Sequence, residues 1–314
     1  MSAVGWGKLI LLGEHAVVYG YPALAAALDR GVTIDAVPTT KGGLRLVIPE
    51  WNVSVKADDD SSVARCLSAV ADALFSGRHS SAIPGGRPQL SLVGDAQIPH
   101  GAGLGSSAAL AVAIARALLQ AANQPADVAT LAHAASASET IIHGKPSGVD
   151  VALAITGGLG VFRRSTGLIP LKRADGSVPS LRVLVGPSGQ PRSTGTMVQK
   201  VAEATGERPA DKRLSELGGL CDTGTVALLA NDLPALGATM NRAHAVLSDL
   251  GVSTPVLDGL CAKAIELGAH GAKLTGAGGG GAVIAIAPRD KEQAILAAWK
   301  TLAVTGFVAV VGAR

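Results

Sequence analysis

The most constraining feature of this sequence is residues 99–108, which read Pro-His-Gly-Ala-Gly-Leu-Gly-Ser-Ser-Ala. Three alternating glycines lead into an Ala-rich run that predicts a helix to about residue 122. Glycine lets a backbone take positive φ and approach a ligand closely, and a helix start offers unpaired N–H groups at its positive dipole end. The pattern predicts an anion site, most often for phosphate. An ordinary loop and cap is the alternative, and the segment lacks the Gly-Lys-Ser/Thr of a Walker A loop.

A second glycine cluster lies at residues 275–281, Thr-Gly-Ala-Gly-Gly-Gly-Gly, and matches G-x-G-x-x-G. A dinucleotide fingerprint follows a strand and opens a helix, whereas a strand-like apolar run follows here. The context therefore argues against a nicotinamide-dependent dehydrogenase. A hairpin turn is the alternative, but the glycines exceed what a turn requires, and such a loop presents its backbone to a ligand.

Helical and strand-like segments are mixed along the chain, which indicates an α+β (mixed α/β) fold. The 314 residues suggest two domains. Residues 175–179 are turn-rich, so we expect one domain at residues 1–178 and a second at residues 179–314.

Four local segments carry specific expectations. Residues 23–28 predict a short helix, and residues 151–155 predict a short strand. Residues 76–88 are rich in Gly, Pro and Ser and predict a loop, while residues 144–146 predict a helix break.

Composition excludes several classes of protein. Hydrophobic residues make up 48% of the chain, so it is not disordered. The formal charge is only +3 and aromatic residues are 3%, so no nucleic-acid partner is expected. Three cysteines without a CxxC pair suggest neither a disulfide framework nor a zinc site. With no apolar run of roughly 18–20 residues and no recognisable signal peptide, we expect a cytoplasmic protein without a membrane partner.

Ionisable residues suggest the chemistry. Lys8 opens an apolar strand, and Glu14 with His15 follows a glycine turn at its far end, although a strand-edge lysine and a surface turn are the ordinary alternatives. Glu139 lies on an Ala-rich helical run, where buried carboxylates are rare unless paired or bound to a metal. Asp150 follows a Pro-Ser-Gly turn, which suits a general base or, alternatively, an Asx turn.

Together, a phosphate loop, a metal carboxylate, a base and a lysine favour a phosphotransferase. The histidines form no HExxH or other dense ligand pattern, and no serine lies in a credible G-x-S-x-G arrangement. Metallohydrolase and acyl-transfer chemistry are therefore disfavoured.

These motifs resemble the GHMP kinase superfamily, and most of all its mevalonate kinase branch. The resemblance spans nearly the whole chain. Its main motifs are residues 7–20 (Gly-Lys-Leu-Ile-Leu-Leu-Gly-Glu-His-Ala-Val-Val-Tyr-Gly), 98–109, 139–150 and 273–281, with further similarity at 191–194 and 240–253. Two departures bear on nucleotide fit: Trp6 stands where the family usually has proline, and His100 precedes the glycine loop.

The resemblance implies an N-terminal α/β domain with a left-handed βαβ unit and a ferredoxin-like C-terminal domain. It also implies transfer of a phosphoryl group from ATP to the primary hydroxyl of mevalonate, with Mg²⁺ as cofactor. Members of the family often form homodimers, and the sequence carries no interface signature. Another acceptor (phosphomevalonate or a sugar) and a non-catalytic nucleotide binder stay open as alternatives.

The resemblance further implies the role of each site residue. Asp150 would take the proton from the substrate hydroxyl or orient that hydroxyl, with Lys8 beside it, and Ser107 and Glu139 would hold Mg²⁺. The ATP-binding residues would be Lys8, Gly101, Ala102, Gly103, Leu104, Gly105, Ser106 and Ser107. The substrate-binding residues would be Glu14, His15, Asp150, Thr194 and Gly278.

Overall fold

The structure is a computed structural model that describes residues 3–40, 43–75, 89–143, 147–190, 193–302 and 305–312. The loop predicted at 76–88, the helix break predicted at 144–146 and residues 191–192 of the family motif lie outside the described residues.

The described residues form eleven strands and nine α-helices, which confirms the mixed α+β class. The strands are β1 (Ala3–Leu12), β2 (Ala23–Pro38), β3 (Arg45–Ile48), β4 (Val53–Lys56), β5 (Leu90–Ala96), β6 (Leu159–Arg163), β7 (Gly167–Pro170), β8 (Leu181–Pro187), β9 (Gly271–Thr275), β10 (Ala282–Ile286) and β11 (Phe307–Val311). The helices are α1 (Ser62–Phe75), α2 (Ser106–Ala121), α3 (Val128–His143), α4 (Val149–Thr156), α5 (Thr194–Thr205), α6 (Lys212–Leu229), α7 (Leu233–Asp249), α8 (Pro255–Glu266) and α9 (Arg289–Leu302).

The chain divides into two compact units, each assembled from separate stretches of sequence. The first unit comprises Met1–Gly7, Arg30–His100 and Gly105–Thr156, and the second comprises Lys8–Asp29, Gly101–Leu104 and Gly157–Arg314. The domain boundary between residues 178 and 179 stays a prediction.

The first unit packs four helices, α1 to α4, against one another beside a sheet in the order β4-β3-β5-β2. Strand β3 runs parallel to β5, while β4 and β2 run antiparallel to their neighbours. Gly5 of β1 lies against the start of α2, where a Cβ would stand 1.9 Å from the carbonyl oxygen of Ala109. Glycine at this position therefore allows the close approach of strand to helix.

The second unit contains a four-stranded sheet in the order β11-β8-β10-β9, with every neighbouring pair antiparallel. Along the chain, β8 is followed by helices α5 to α8, then β9, β10, α9 and β11. This β-α-β-β-α-β order with its sheet arrangement is the ferredoxin-like topology. It confirms the fold expected for the C-terminal part of the chain. The first part of β2 also pairs with β6, and β6 with β7.

Side chains cap the first four helices of the second unit. Each cap accepts a hydrogen bond from a backbone N–H of the first turn, which satisfies a donor that the helix leaves unpaired. The capping residues are Ser193, Asp211, Asp232 and Thr254.

Two local predictions are wrong. Residues 23–28, Ala-Leu-Ala-Ala-Ala-Leu, favour a helix by propensity, but they are all buried and belong to β2, which pairs with β6. A strand buried on both faces loses its alternation. Residues 151–155 belong to α4, because their apolar side chains pack among the neighbouring helices of the first unit. Burial outweighed local propensity at both places.

Within the residues that the structure describes, no helix is both long and apolar enough to cross a bilayer.

Candidate active site

The glycine loop that precedes α2 has an alternating backbone. Gly101, Gly103 and Gly105 have φ values of 74°, 79° and 73°, which L-residues rarely adopt. The backbone N–H of Lys8 donates to the carbonyl oxygen of Leu104 at 2.8 Å and ties this loop to β1. The predicted loop therefore has a backbone that requires its glycines, and phosphate binding there stays a prediction.

Helix α2 begins without a side-chain cap, unlike the capped helices of the second unit. Its N-cap is Gly105, which has no side chain to bond the first-turn amides. Ser106 is buried and Ser107 half-buried at this helix start. First-turn N–H groups that no cap residue occupies are suited to binding an anion.

Two acidic residues of the first unit lie on neighbouring helices. Glu139, on α3, is 1% exposed. Burial raises the pKa of the nearby Cys66 thiol, and the charge of Glu139 adds to that rise. Asp150 is half-buried in the first turn of α4. It follows Gly148, whose φ is 91°, and a negative charge at a helix N-terminus is favourable.

Glu14 forms a buried ion pair with Lys273, which the sequence patterns did not single out. The Nζ atom of Lys273 donates to Oε1 of Glu14 and, at 2.6 Å, to the carbonyl oxygen of Leu274. The two side chains are 1% and 0% exposed. Burial raises the pKa of Glu14 and lowers the pKa of Lys273, while the attraction between the two charges opposes both shifts.

His15 joins the second glycine cluster. Its Nε2 atom lies 2.9 Å from the carbonyl oxygen of Ala277, beside Gly278 in the loop that links β9 to β10 as a hairpin. Gly278 has a φ of 75°, and a Cβ there would stand 2.1 Å from the carbonyl oxygen of Val252. The loop thus requires glycine, and a strand follows it, so the dinucleotide fingerprint is absent from this segment.

Thr194 is the first residue of α5 and is half-buried. The same helix carries Met197, whose Sδ atom lies 2.5 Å from the Cβ position of Gly279. The glycine loop and α5 are therefore neighbours. Among the described contacts, none joins the Thr194 side chain directly to Glu14 or His15.

A groove in the first unit was not predicted. It has a volume of about 440 Å³ and is lined by residues that include Glu50, Trp51, Asn52, Ile98 and His100. The indole N–H of Trp51 donates to the carbonyl oxygen of Ile98 at 2.9 Å, and the Trp51 and His100 rings lie 5.2 Å apart at 57°. In a chain with so few aromatic residues, Trp51 was the signal that could have marked this groove.

Within the described ranges, no group of three or more His, Cys, Asp or Glu side chains is placed to hold a metal ion. A site of one carboxylate and one hydroxyl is a different case, because Mg²⁺ commonly keeps one or two protein ligands and takes the rest from phosphate and water. Glu139 and Ser107 carry oxygen donors of this kind, and their role as metal ligands stays a prediction.

Comparisons with known proteins find relatives over most of the chain. The family model described as "GHMP kinases N terminal domain" matches residues 62–158, and "GHMP kinases C terminal" matches residues 225–304. The chain is 35% identical over 308 residues to the mevalonate kinase of Thermococcus sibiricus, covering 91% of this chain and 89% of that protein.

Solved structures show the same fold. The crystal structure of L. major mevalonate kinase in complex with R-mevalonate superposes with a TM-score of 0.81 at 26% identity, covering 99% of this chain and 96% of that one. The Methanococcus jannaschii mevalonate kinase superposes with a TM-score of 0.82 at 24% identity, covering 100% and 98%.

Proposed function

Because this chain belongs to the GHMP kinase superfamily and, within it, to the mevalonate kinase group, we propose that it transfers the γ-phosphoryl group of ATP to the primary hydroxyl of mevalonate. The products are 5-phosphomevalonate and ADP. The observation that carries the proposal is the positive-φ glycine loop before the glycine-capped start of α2, in a chain whose likeness to mevalonate kinases covers nearly its full length.

The phosphate groups of ATP bind along residues Gly101 to Ser107. Backbone N–H groups of the loop and of the first turn of α2 donate to phosphate oxygens, and the positive end of the helix dipole favours their charge. Lys8 adds a cation for the transferred γ-phosphoryl group, where negative charge spreads over the oxygens during transfer.

Glu139 and Ser107 would hold Mg²⁺. The fit rests on donor chemistry, because a hydroxyl and a carboxylate oxygen are hard donors of the kind that Mg²⁺ prefers. When bound, the ion would neutralise part of the negative charge of the ATP phosphates.

Asp150 accepts the proton of the substrate hydroxyl. The hydroxyl oxygen forms the new bond to the γ-phosphorus, the bond between that phosphorus and the β–γ bridging oxygen breaks, and ADP leaves. On the acceptor side, Glu14, His15, Thr194 and Gly278 bind mevalonate. The contact between His15 and the carbonyl oxygen of Ala277 supports this assignment, because it holds His15 against the loop that contains Gly278.

The groove around Trp51 takes the adenine base. An aromatic ring gives a base a flat apolar surface, and His100 immediately precedes the phosphate loop in the chain. The position of the groove's last lining residue next to Gly101 supports this assignment.

The test is ADP release from Mg·ATP by the purified protein with mevalonate, phosphomevalonate, galactose, homoserine or no acceptor. We expect turnover with mevalonate alone. Turnover confined to another acceptor would retain the kinase and replace its substrate, and tight ATP binding without turnover on any acceptor would overturn the proposed activity.

A further inference from the structure

We infer that Lys273 is a positioning residue for this reaction: it holds the Glu14 carboxylate in one orientation as an anion, so that the second oxygen of Glu14 accepts a hydrogen bond from a hydroxyl of the acceptor substrate. The inference rests on the proposed function, because it concerns how the same site binds its alcohol.

The first support is the fixed geometry of the ammonium group. Lys273 is wholly buried in β9. Two of the three N–H groups of Nζ donate hydrogen bonds, one to Oε1 of Glu14 and one to the carbonyl oxygen of Leu274. A lysine held by a backbone acceptor and a carboxylate cannot swing to solvent. The Glu14 side chain is therefore fixed by a rigid partner.

The second support is the other carboxylate oxygen of Glu14. Oε2 is buried and has no hydrogen-bond partner among the residues that the structure describes. A buried acceptor without a donor is energetically costly. An ionised carboxylate only accepts hydrogen bonds, so the group that completes this site carries a proton. A substrate hydroxyl fits, whereas a carboxylate or phosphate oxygen does not.

The third support is the charge around Glu14. The groups that act on it are Lys273 on β9, Lys8 on β1 and, close by, the Cys221 thiol on α6. Burial is the main cause that raises the pKa of Cys221 to about 12, so this thiol stays neutral at neutral pH. Two lysines therefore counteract the rise that burial causes in the pKa of Glu14, and Lys273 is the one that also donates a hydrogen bond to it.

The strand that carries Lys273 is anchored beside it. The backbone N–H of Leu274 donates to Nδ1 of His244 at 3.3 Å, and Nε2 of His244 lies 3.1 Å from Oδ1 of Asp258. An imidazole that accepts at Nδ1 carries its proton on Nε2. These bonds fix β9 to α7 and α8, which keeps the Lys273 backbone in place.

The first experiment compares steady-state kinetics of the wild type, Lys273→Met and Lys263→Met between pH 6 and 9. Lys263 is a matched control, because it lies on α8 with a partly exposed side chain paired to Glu266. In Lys273→Met we expect the KM for mevalonate at pH 7 to rise about 10- to 100-fold, because the substrate loses a hydrogen bond to a charged group. The KM for ATP should stay within about twofold of the wild-type value. The rise in the KM for mevalonate should become smaller toward pH 9, because Glu14 ionises there.

The second experiment tests whether Lys273 acts through Glu14. Leaving Glu14 buried without its partner is destabilising, so Lys273→Met is paired with Lys273→Met/Glu14→Gln, which removes both charges and gives a second folded background. Relative to Glu14→Gln alone, we expect the double variant to change the KM for mevalonate by less than about threefold.

Three outcomes would overturn the inference. They are a folded Lys273→Met with the wild-type KM and pH profile, a Lys273→Met effect equally large in the Glu14→Gln background, and a KM for ATP that rises as much as that for mevalonate.

Failure of the proposed function can be distinguished from failure of this inference, because the wild-type protein would then show no turnover. In that case thermal unfolding tests whether Lys273 keeps Glu14 ionised. The Tm of Lys273→Met should rise as the pH falls from 8 to 5, relative to wild type, because protonation neutralises the buried Glu14. A constant Tm difference would contradict the inference.

Discussion

Thr275 and Ile10 exchange two hydrogen bonds. The Thr275 hydroxyl accepts from the backbone N–H of Ile10 at 3.0 Å and donates to the carbonyl oxygen of the same residue at 2.9 Å. One fully buried side chain thus substitutes for a neighbouring strand at this point of β1. Because Ile10 lies between Lys8 and Glu14 in sequence, this clamp fixes the strand that carries Lys8 and leads to Glu14.

Thr275→Val should destabilise the protein by about 1–3 kcal/mol, because the new side chain keeps the shape of threonine and leaves two buried backbone groups of Ile10 without their partner. Chemical denaturation followed by circular dichroism measures the change. Thr275→Ser keeps the hydroxyl and serves as the control. Equal stability of Thr275→Val and Thr275→Ser would show that the clamp contributes nothing.

Asp150→Asn should lower kcat by about 10²–10⁴-fold, the usual contribution of a positioned general base. Asparagine is nearly the same size, so the far-ultraviolet circular dichroism spectrum and the Tm should change little. ADP release with mevalonate measures the effect. Wild-type turnover in this variant would remove Asp150 from the proposed mechanism.

Trp51→Ala should raise the KM for ATP by about tenfold, because stacking of a base on an aromatic ring contributes roughly 1–3 kcal/mol. The KM for mevalonate should not change. Trp51→Phe keeps a ring but loses the N–H that bonds Ile98, so we expect an intermediate value. If alanine at this position left ATP affinity intact, the base would have to bind elsewhere.

His244 should make stability fall below neutral pH. Burial, aided by the nearby Lys273 charge, lowers the pKa of His244 below its ordinary 6.5, although Asp258 acts in the opposite sense. The unfolded chain therefore binds this proton more readily than the folded protein, so the contribution is complete above pH 6.5 and is lost as the pH falls through the folded-state value.

The titration of the His244 ring by NMR tests that sign directly, and a midpoint above 6.5 would contradict it. In His244→Asn, the unfolding free energy should depend less on pH between 5 and 6.5, since the remaining histidines are shared with the wild type.

Most elements could be predicted because their patterns agree with their surroundings. Residues 53–56 alternate and form β4, and the glycine loop opens α2 as its composition indicates. The failures at residues 23–28 and 151–155 have one cause. Both are short apolar runs, for which burial on a sheet or among helices, and not the local sequence, selects the conformation.

The candidate site divides in the same way. Lys8 and Glu139 stood out because charged side chains in apolar runs are rare, and Glu14 because it follows a glycine turn at the end of a strand. All three are buried. The partnership of Glu14 with Lys273 could not be predicted, because 259 residues separate them and no local pattern relates them. The Trp51 groove likewise depends on which loops the sheet of the first unit brings together.

The Thr275–Ile10 clamp also limits when the chain can complete its folding during synthesis. Its two residues are 265 positions apart, and at about 5–20 residues per second a ribosome needs roughly 13 to 53 s to add the second after the first. During that interval the apolar end of β1 is synthesised without β9. Completion of the second unit is therefore a late event that closes a long loop. For most of its synthesis the nascent chain exposes an apolar strand that chaperones can bind.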